Sequence, residues 1–214
     1  MPRPIQYYFS LMSPWAYLGH AQLGAIAGRN DVEIDYRPVN LMDLFPESGG
    51  LPLGKRHPSR QRYRLVEMQR WREMRDVPLV LKPKNWPFDF HLADRVALTA
   101  AQSGPQDQAH AFIAMAFRAV WVEECNLADS TVLARLLKDG DYEAGAILER
   151  ARSPDIAEAY EANKLRALEQ DVFGSPTYVL EGEAFWGQDR LEQLESALVN
   201  GRAPYTPEAF TTGA

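Results

Sequence analysis

Residues 5–18 run Ile5-Gln6-Tyr7-Tyr8-Phe9-Ser10-Leu11-Met12-Ser13-Pro14-Trp15-Ala16-Tyr17-Leu18. The first five are strong β-formers and predict a strand. Ser13 offers a helix cap, Pro14 suits a first helical turn, and Tyr17, Leu18, Ala21, Leu23 and Ala25 supply apolar positions as far as Gly28. Val32-Glu33-Ile34-Asp35-Tyr36-Arg37 then alternates apolar and polar residues, predicting a second strand. A strand–helix–strand opening favours two parallel strands joined by the helix.

At the other end, Thr177-Tyr178-Val179-Leu180, a Glu181-Gly182 turn and Ala184-Phe185-Trp186 predict a β-hairpin. A helix follows, with Leu191, Leu194 and Leu198 on one face, ending before Asn200-Gly201. Between the two ends, Pro46 to Pro58 is rich in Pro and Gly and predicts a loop. From Arg62 to about Arg166 helical spacing dominates: Leu65, Met68, Trp71 and Met74 recur every three residues, and Leu92, Val96 and Ala100 every four. Ala109 to Val122 is apolar on most of its circumference and predicts a central helix, with further helices over Ser130–Lys138, Tyr142–Ala151 and Asp155–Asp171. This order predicts an α/β, thioredoxin-like domain formed by residues 1–41 and 166–214 and interrupted by a large all-helical insertion over residues 42–165.

The chain has 214 residues, 46% hydrophobic and 24% charged, which is the composition of a soluble globular protein and excludes a disordered or fibrous one. Its net charge of −6 has the wrong sign for a protein that coats nucleic acid or an anionic membrane. No apolar run approaches the roughly 18 residues of a membrane span, and Met1-Pro2-Arg3-Pro4 leads into the first strand without the apolar core of a signal peptide, so the expected location is the cytoplasm. Cys125 is the only cysteine, so there is no internal disulfide, no Cys-x-x-Cys pair and no cysteine-rich zinc site. At the end of the most apolar helix it is expected to be a small buried side chain. His20, His91 and His110 lack the spacing and carboxylate companions of a metal site, and no metal is expected. Any thiol chemistry must borrow its sulfur from a ligand.

Three stretches can carry chemistry. Ser13-Pro14-Trp15-Ala16 lies where a thioredoxin-like fold holds its redox Cys-x-x-Cys, with Ser13 and Ala16 in the two cysteine places. Ser13 either caps the helix and does nothing more, or presents its hydroxyl, with the backbone N–H groups of the helix start, to a thiolate brought by a ligand. Phe173-Gly174-Ser175-Pro176-Thr177 precedes the third strand, where thioredoxin-like proteins place a cis proline, and Ser175-Pro176 is expected to be cis. Residues 55–75 hold eight cations against Glu67 and Glu73, a net charge of +6 that leaves −12 on the remainder. That segment reads either as a solvated helix face or as a focus for a small anion; Lys55, Arg56 and His57, in the loop, are the candidates for ligand contact. Trp86-Pro87-Phe88-Asp89-Phe90 either walls an apolar pocket or packs between helices.

Residues 8–18, Gly49-Gly50-Leu51-Pro52, and Val172-Phe173-Gly174-Ser175-Pro176 through Phe185-Trp186-Gly187-Gln188-Asp189-Arg190-Leu191 together resemble the 2-hydroxychromene-2-carboxylate isomerases. These belong with the kappa-class glutathione transferases in the DsbA-like branch of the thioredoxin fold. The resemblance implies a glutathione-dependent isomerase that interconverts 2-hydroxychromene-2-carboxylate and trans-o-hydroxybenzylidenepyruvate, or a related aromatic enone acid, in aromatic degradation. It also implies a homodimer with glutathione and a small aromatic carboxylate as its ligands. By resemblance Ser13 bonds the glutathione sulfur, the Ser175 backbone before Pro176 pairs with the cysteinyl unit, and Gln188 and Asp189 meet the γ-glutamyl end. Asp189, at the start of the last helix, can also cap it. The glutathione site so expected comprises Ser13, Pro14, Trp15, Gly50, His57, Ser175, Pro176, Gln188 and Asp189, with Lys55, Arg56 and Trp86 as substrate-binding candidates. Kappa-class members commonly carry Asn-x-Pro where this chain has Gly50-Leu51-Pro52. A kappa-like glutathione transferase and a non-catalytic thioredoxin-like module binding glutathione or a peptide are the alternatives.

Overall fold

A computed structural model of the chain describes residues 4–206; residues 1–3 and 207–214, which the expected thioredoxin-like segments include, lie outside the described residues. Strand β1 (Ile5–Phe9) is central in a four-stranded sheet. It pairs in parallel with β2 (Ile34–Pro38), Tyr7 opposite Tyr36, and antiparallel with β3 (Thr177–Leu180), Tyr7 opposite Tyr178. β4 (Glu183–Trp186) closes the edge against β3 through Glu181-Gly182, whose positive φ angles of 52° and 90° give the tight two-residue turn expected there. The sheet order β2-β1-β3-β4 and the crossover helix α1 (Pro14–Arg29) between β1 and β2 are the predicted thioredoxin-like arrangement.

Side chains alternate along β1 as the pleat requires, and each face has its own cover. Tyr7 and Phe9 stack at 4.5 Å and share a core with Leu23 and Ile26 of α1 and with Phe112, Phe117 and Trp121 of α5 (Gln106–Trp121). Tyr8 faces the other way, with Val39, Val172 and Val179. That second face is covered by α8 (Pro154–Glu169) and by α2 (Leu41–Ser48), a helix whose last turn runs into the stretch from Pro46 that is expected to be a loop. Asn40 caps α2, its side-chain oxygen accepting from the Met42 and Asp43 N–H groups, and Gly49 ends it in the left-handed conformation at φ 76°. Burial of Leu44 and Phe45 outweighs the hydrogen bond lost at Pro46 inside the helix.

The remaining helices are α3 (Pro58–Met74), α4 (His91–Ser103), α6 (Ser130–Asp139), α7 (Ala144–Arg150) and α9 (Leu191–Asn200). The insertion is not separately packed: α4, α5, α6 and α7 share one core with β1 and α1. The expected boundaries at 41/42 and 165/166 fall inside α2 and α8. His20 and His110 stack at 3.9 Å within that core, and burial together with the charge of His110 pushes the His20 pKa down to about 3. Among the described residues, no helix is long and apolar enough to cross a membrane, and no group of three His, Cys, Asp or Glu side chains is placed to hold a metal.

Candidate active site

Because β3 runs antiparallel to β1, the start of β3 lies beside the end of β1, where Tyr8 is opposite Thr177. The loop leading into α1 therefore meets the loop leading into β3, and Ser13 meets Ser175. The Ser175-Pro176 bond is cis, as expected; Trp86-Pro87 is cis as well. The Ser13 hydroxyl donates to the Ser175 carbonyl at 3.0 Å and accepts from the Ala16 N–H at 3.2 Å. Pro14 has no N–H and that of Ala16 is taken, so Trp15 supplies the open amide donor at the helix start. Ser13 is both the cap of α1 and one wall of a cleft of about 960 Å³, and the two readings of this residue coincide in one hydroxyl.

The loop under Ser13 is anchored from the helical section by a residue that sequence reasoning missed. Asp94 of α4 is 0% exposed; its Oδ1 accepts the Leu11 N–H at 2.9 Å and its Oδ2 lies 3.2 Å from the Tyr160 hydroxyl. Burial raises its pKa to about 7, opposed by hydrogen bonds from Leu11, Ser10 and Tyr160 and by the nearby His91. The Leu11 carbonyl accepts from the Trp121 indole N–H at 3.2 Å, and the Met12 carbonyl from that of Trp86 at 3.0 Å. On the other side, the Ser10 N–H donates to the Ser175 hydroxyl oxygen at 3.2 Å. The Ser175 side chain is thus part of the frame and not a bystander.

The remaining expected residues divide. Pro14, Trp15, Gly50, Arg56, Trp86, Gln188 and Asp189 line the cleft with Ser13 and Ser175, whereas Lys55, His57 and Pro176 do not. Pro176 lies buried behind Ser175. Lys55 is exposed at the end of a short 3-10 turn, Leu53–Lys55. His57 is exposed and spends its ring on the start of α3, where its Nδ1 accepts from the Ser59 N–H at 3.3 Å and lies 2.7 Å from the Ser59 hydroxyl. A Cβ at Gly50 would stand 2.5 Å from Phe45 Cδ1, so the ring of Phe45 fills the space an asparagine would need there.

Gln188 is buried, and Arg75 holds it, donating from Nε to Oε1 and from Nη2 to the main-chain carbonyl, both at 3.0 Å. Asp189 is exposed, pairs with Arg190 at 3.0 Å, and lies in a 3-10 turn, Gln188–Arg190, instead of capping α9. Arg56 is half-buried and ties the loop by donating from Nε to the Leu51 carbonyl at 2.7 Å. One and two turns along α3, Arg60 and Arg64 continue this cationic wall. Burial and the neighbouring Arg56 lower the Arg64 pKa to about 10, which leaves it charged at neutral pH. The carboxylates lining the same cleft are committed elsewhere, Glu67 to Arg70 at 2.5 Å and Asp189 to Arg190. A cationic cleft on an acidic protein attracts small anions. Cys125 is half-buried, not buried, and lies outside the cleft, 3.8 Å from Arg135 Nη2.

Residues 4–199 match the family model described as a DSBA-like thioredoxin domain. The chain is 29% identical over 201 residues to the 2-hydroxychromene-2-carboxylate isomerase of Sphingobium xenophagum, covering 94% of this chain and 100% of that protein. It is 29% identical over 195 residues to the isomerase of the same name from Pseudomonas putida, covering 91% and 93%. A solved structure of a 2-hydroxychromene-2-carboxylate isomerase superposes with a TM-score of 0.79 at 28% identity, covering 92% of this chain and 94% of that one. The cytosolic disulfide reductase DsbM from Pseudomonas aeruginosa, solved with GSH, shares the fold at a TM-score of 0.68 and 16% identity, covering 92% and 98%. The chain belongs to the DSBA-like thioredoxin domain family, with a serine and an alanine where a redox member needs its two cysteines.

Proposed function

We propose that the protein is a glutathione-dependent isomerase interconverting 2-hydroxychromene-2-carboxylate and trans-o-hydroxybenzylidenepyruvate, or a closely related aromatic enone acid. The observation that carries this reading is the Ser13–Ser175 pair: a hydroxyl at a helix start faces the peptide of a cis proline, and the chain brings no thiol of its own to the cleft beside it. Similarity to isomerases along nearly the whole chain supports the reaction class, and the cationic wall of α3 supports an anionic ligand. The donor set fits glutathione, since it combines a hydroxyl and an open amide for a thiolate, a peptide edge for a tripeptide backbone, and the Arg56 and Arg60 guanidinium groups for its carboxylates.

When bound, glutathione would supply a thiolate able to add reversibly to the conjugated carbon of the ring-opened keto acid, in equilibrium with the chromene hemiketal, so that the bond made single can rotate before the thiolate is eliminated unchanged. Ser13 turns its proton from the Ser175 carbonyl toward the sulfur, and the Trp15 N–H and the α1 dipole add to the same stabilisation. Each unit by which they lower the thiol pKa from about 8.5 is worth about 1.4 kcal/mol. The Ser175 carbonyl, released by that turn, is free to pair with the cysteinyl backbone. Trp15 and Trp86 line the cleft with Ser13, where they would keep water from a bound sulfur.

The test follows the chromene-to-benzylidenepyruvate conversion spectroscopically with and without glutathione, and recovers the thiol afterwards. Conversion only with glutathione, the thiol returned intact, supports the reading. A thioether product would make the protein a transferase, and binding without turnover a binding module. Cys125→Ser should convert normally; a folded but inactive variant would overturn the borrowed-thiol chemistry.

A further inference from the structure

Resting on the functional reading above, we propose that Arg64, seated on the indole of Trp86, is the carboxylate fork of the cleft and receives the carboxylate of the electrophilic second substrate, not one belonging to glutathione.

A guanidinium carries five N–H donors and loses stability when it is drained of water without an acceptor. Within residues 55–75 the other cations have their needs met. Arg56 donates to the Leu51 carbonyl, Arg70 pairs with Glu67, Arg72 donates to the Leu79 carbonyl and Arg75 clasps Gln188. Lys55, Arg60 and Arg62 are exposed to water. Arg64 alone in this segment is half-buried with no hydrogen bond or ion pair to any described residue. Its guanidinium lies over the face of Trp86, with Cζ 5.2 Å from the ring centroid. Glu67, one turn along the same helix, is within reach in sequence but turns to Arg70. The result is a charged, flat, pre-oriented donor set at the cleft, the geometry that matches a carboxylate with two parallel hydrogen bonds.

Position decides which carboxylate. The Trp86 indole that carries Arg64 is pinned by its N–H to the carbonyl of Met12, the residue before Ser13. One indole therefore separates the guanidinium from the sulfur seat. The two carboxylates of glutathione lie at the ends of the tripeptide, away from its central thiol, whereas the electrophile has to touch that thiol. An aromatic enone whose carboxylate adjoins the conjugated system places its charge at Arg64 while its ring lies along Trp86. The fork would thus orient the acceptor carbon toward the sulfur and reject neutral analogues, whose uncharged ends leave the guanidinium unpaired.

The test compares wild type with Arg64→Gln and Arg64→Lys. Binding of trans-cinnamate and of its methyl ester, measured by calorimetry without glutathione, reads the fork independently of turnover. The wild type should prefer the acid, Arg64→Gln should lose that preference by roughly 10-fold or more, and Arg64→Lys, which keeps the charge but not the fork, should fall between. Glutathione affinity should be the same in all three. No acid preference in the wild type, a preference surviving in Arg64→Gln, or a parallel loss of glutathione affinity would overturn the assignment. Failure of the wild type to isomerise with glutathione would instead defeat the functional reading and leave the calorimetric result to judge Arg64.

Discussion

Replacing Asp94 by asparagine should remove a pH dependence of stability while leaving the fold intact. In the folded chain the carboxyl is 0% exposed and its pKa is raised from 3.8 to about 7, chiefly by burial. Above the unfolded pKa the denatured chain has released this proton and the native chain still holds it, so the native state binds more protons and loses stability as pH rises. The contribution is fully present below about pH 4 and is gone above about pH 7. A shift of this size corresponds to about 4 kcal/mol in all, of which about 3 kcal/mol is lost between pH 5 and pH 8. The carboxamide introduced by Asp94→Asn keeps an oxygen for the Leu11 N–H and gains an N–H donor for the Tyr160 hydroxyl, so the frame under Ser13 stays hydrogen-bonded. Urea unfolding of both proteins at about pH 5 and pH 8 provides the measurement, because the other titrating groups are common to the pair and, apart from His91 beside Asp94, cancel. Wild type should lose about 3 kcal/mol more than Asp94→Asn over that interval. Parallel pH profiles would refute the reasoning, since they would mean that Asp94 ionises alike in the folded and unfolded chains.

Ser13→Ala should lose roughly 100-fold in glutathione-dependent turnover, and it should also cost about 1 kcal/mol of stability, because the same oxygen caps α1; steady-state kinetics and denaturation read the two effects separately. Ser175→Ala leaves the buried Ser10 N–H without an acceptor and should cost about 1–3 kcal/mol in urea unfolding, where a backbone-only role predicts no change. Gly50→Asn should destabilise by about 1–3 kcal/mol through collision with Phe45, and much of that loss should return in a Phe45→Leu background. A double-mutant cycle with zero coupling would place the collision elsewhere.

Local chemistry was readable where each signal had one meaning. Ser13 and Pro14, followed by the apolar positions Tyr17, Leu18, Ala21 and Leu23, mark a helix start, and Thr177–Trp186 forms a hairpin because Glu181-Gly182 suits nothing else so well. Reading failed where two signals conflicted. Pro46 spoke for a loop against Asn40 and Gly49, which bracket a helix, and buried Leu44 and Phe45 decided the matter. In the basic stretch charge alone could not say which cations reach the cleft. The chain path into α3 and its helical register bring Arg56, Arg60 and Arg64 to the cleft, while Lys55 and His57, attractive as loop residues, lie outside it. Arg75 and Asp94 were invisible for a different reason. Each acts on a loop far off in sequence, Gln188 in one case and Leu11 in the other, and a lone charge at a helix gives no sign of such a partner.

The antiparallel partner of β1 is encoded 171 positions further on, as Tyr7 opposite Tyr178 records. A ribosome adding about 5–20 residues per second needs roughly ten to thirty seconds to reach it. Throughout that interval Tyr7, Tyr8 and Phe9 present an open strand edge of the kind that recruits other chains. The helices made in the meantime lie on the faces of the nascent sheet and leave that edge bare. Ser13 is synthesised early, but its counterpart Ser175 arrives with the strand that seals the edge. Completion of the cleft and protection from aggregation therefore become a single late event, and a truncation that removes β3 forfeits both together.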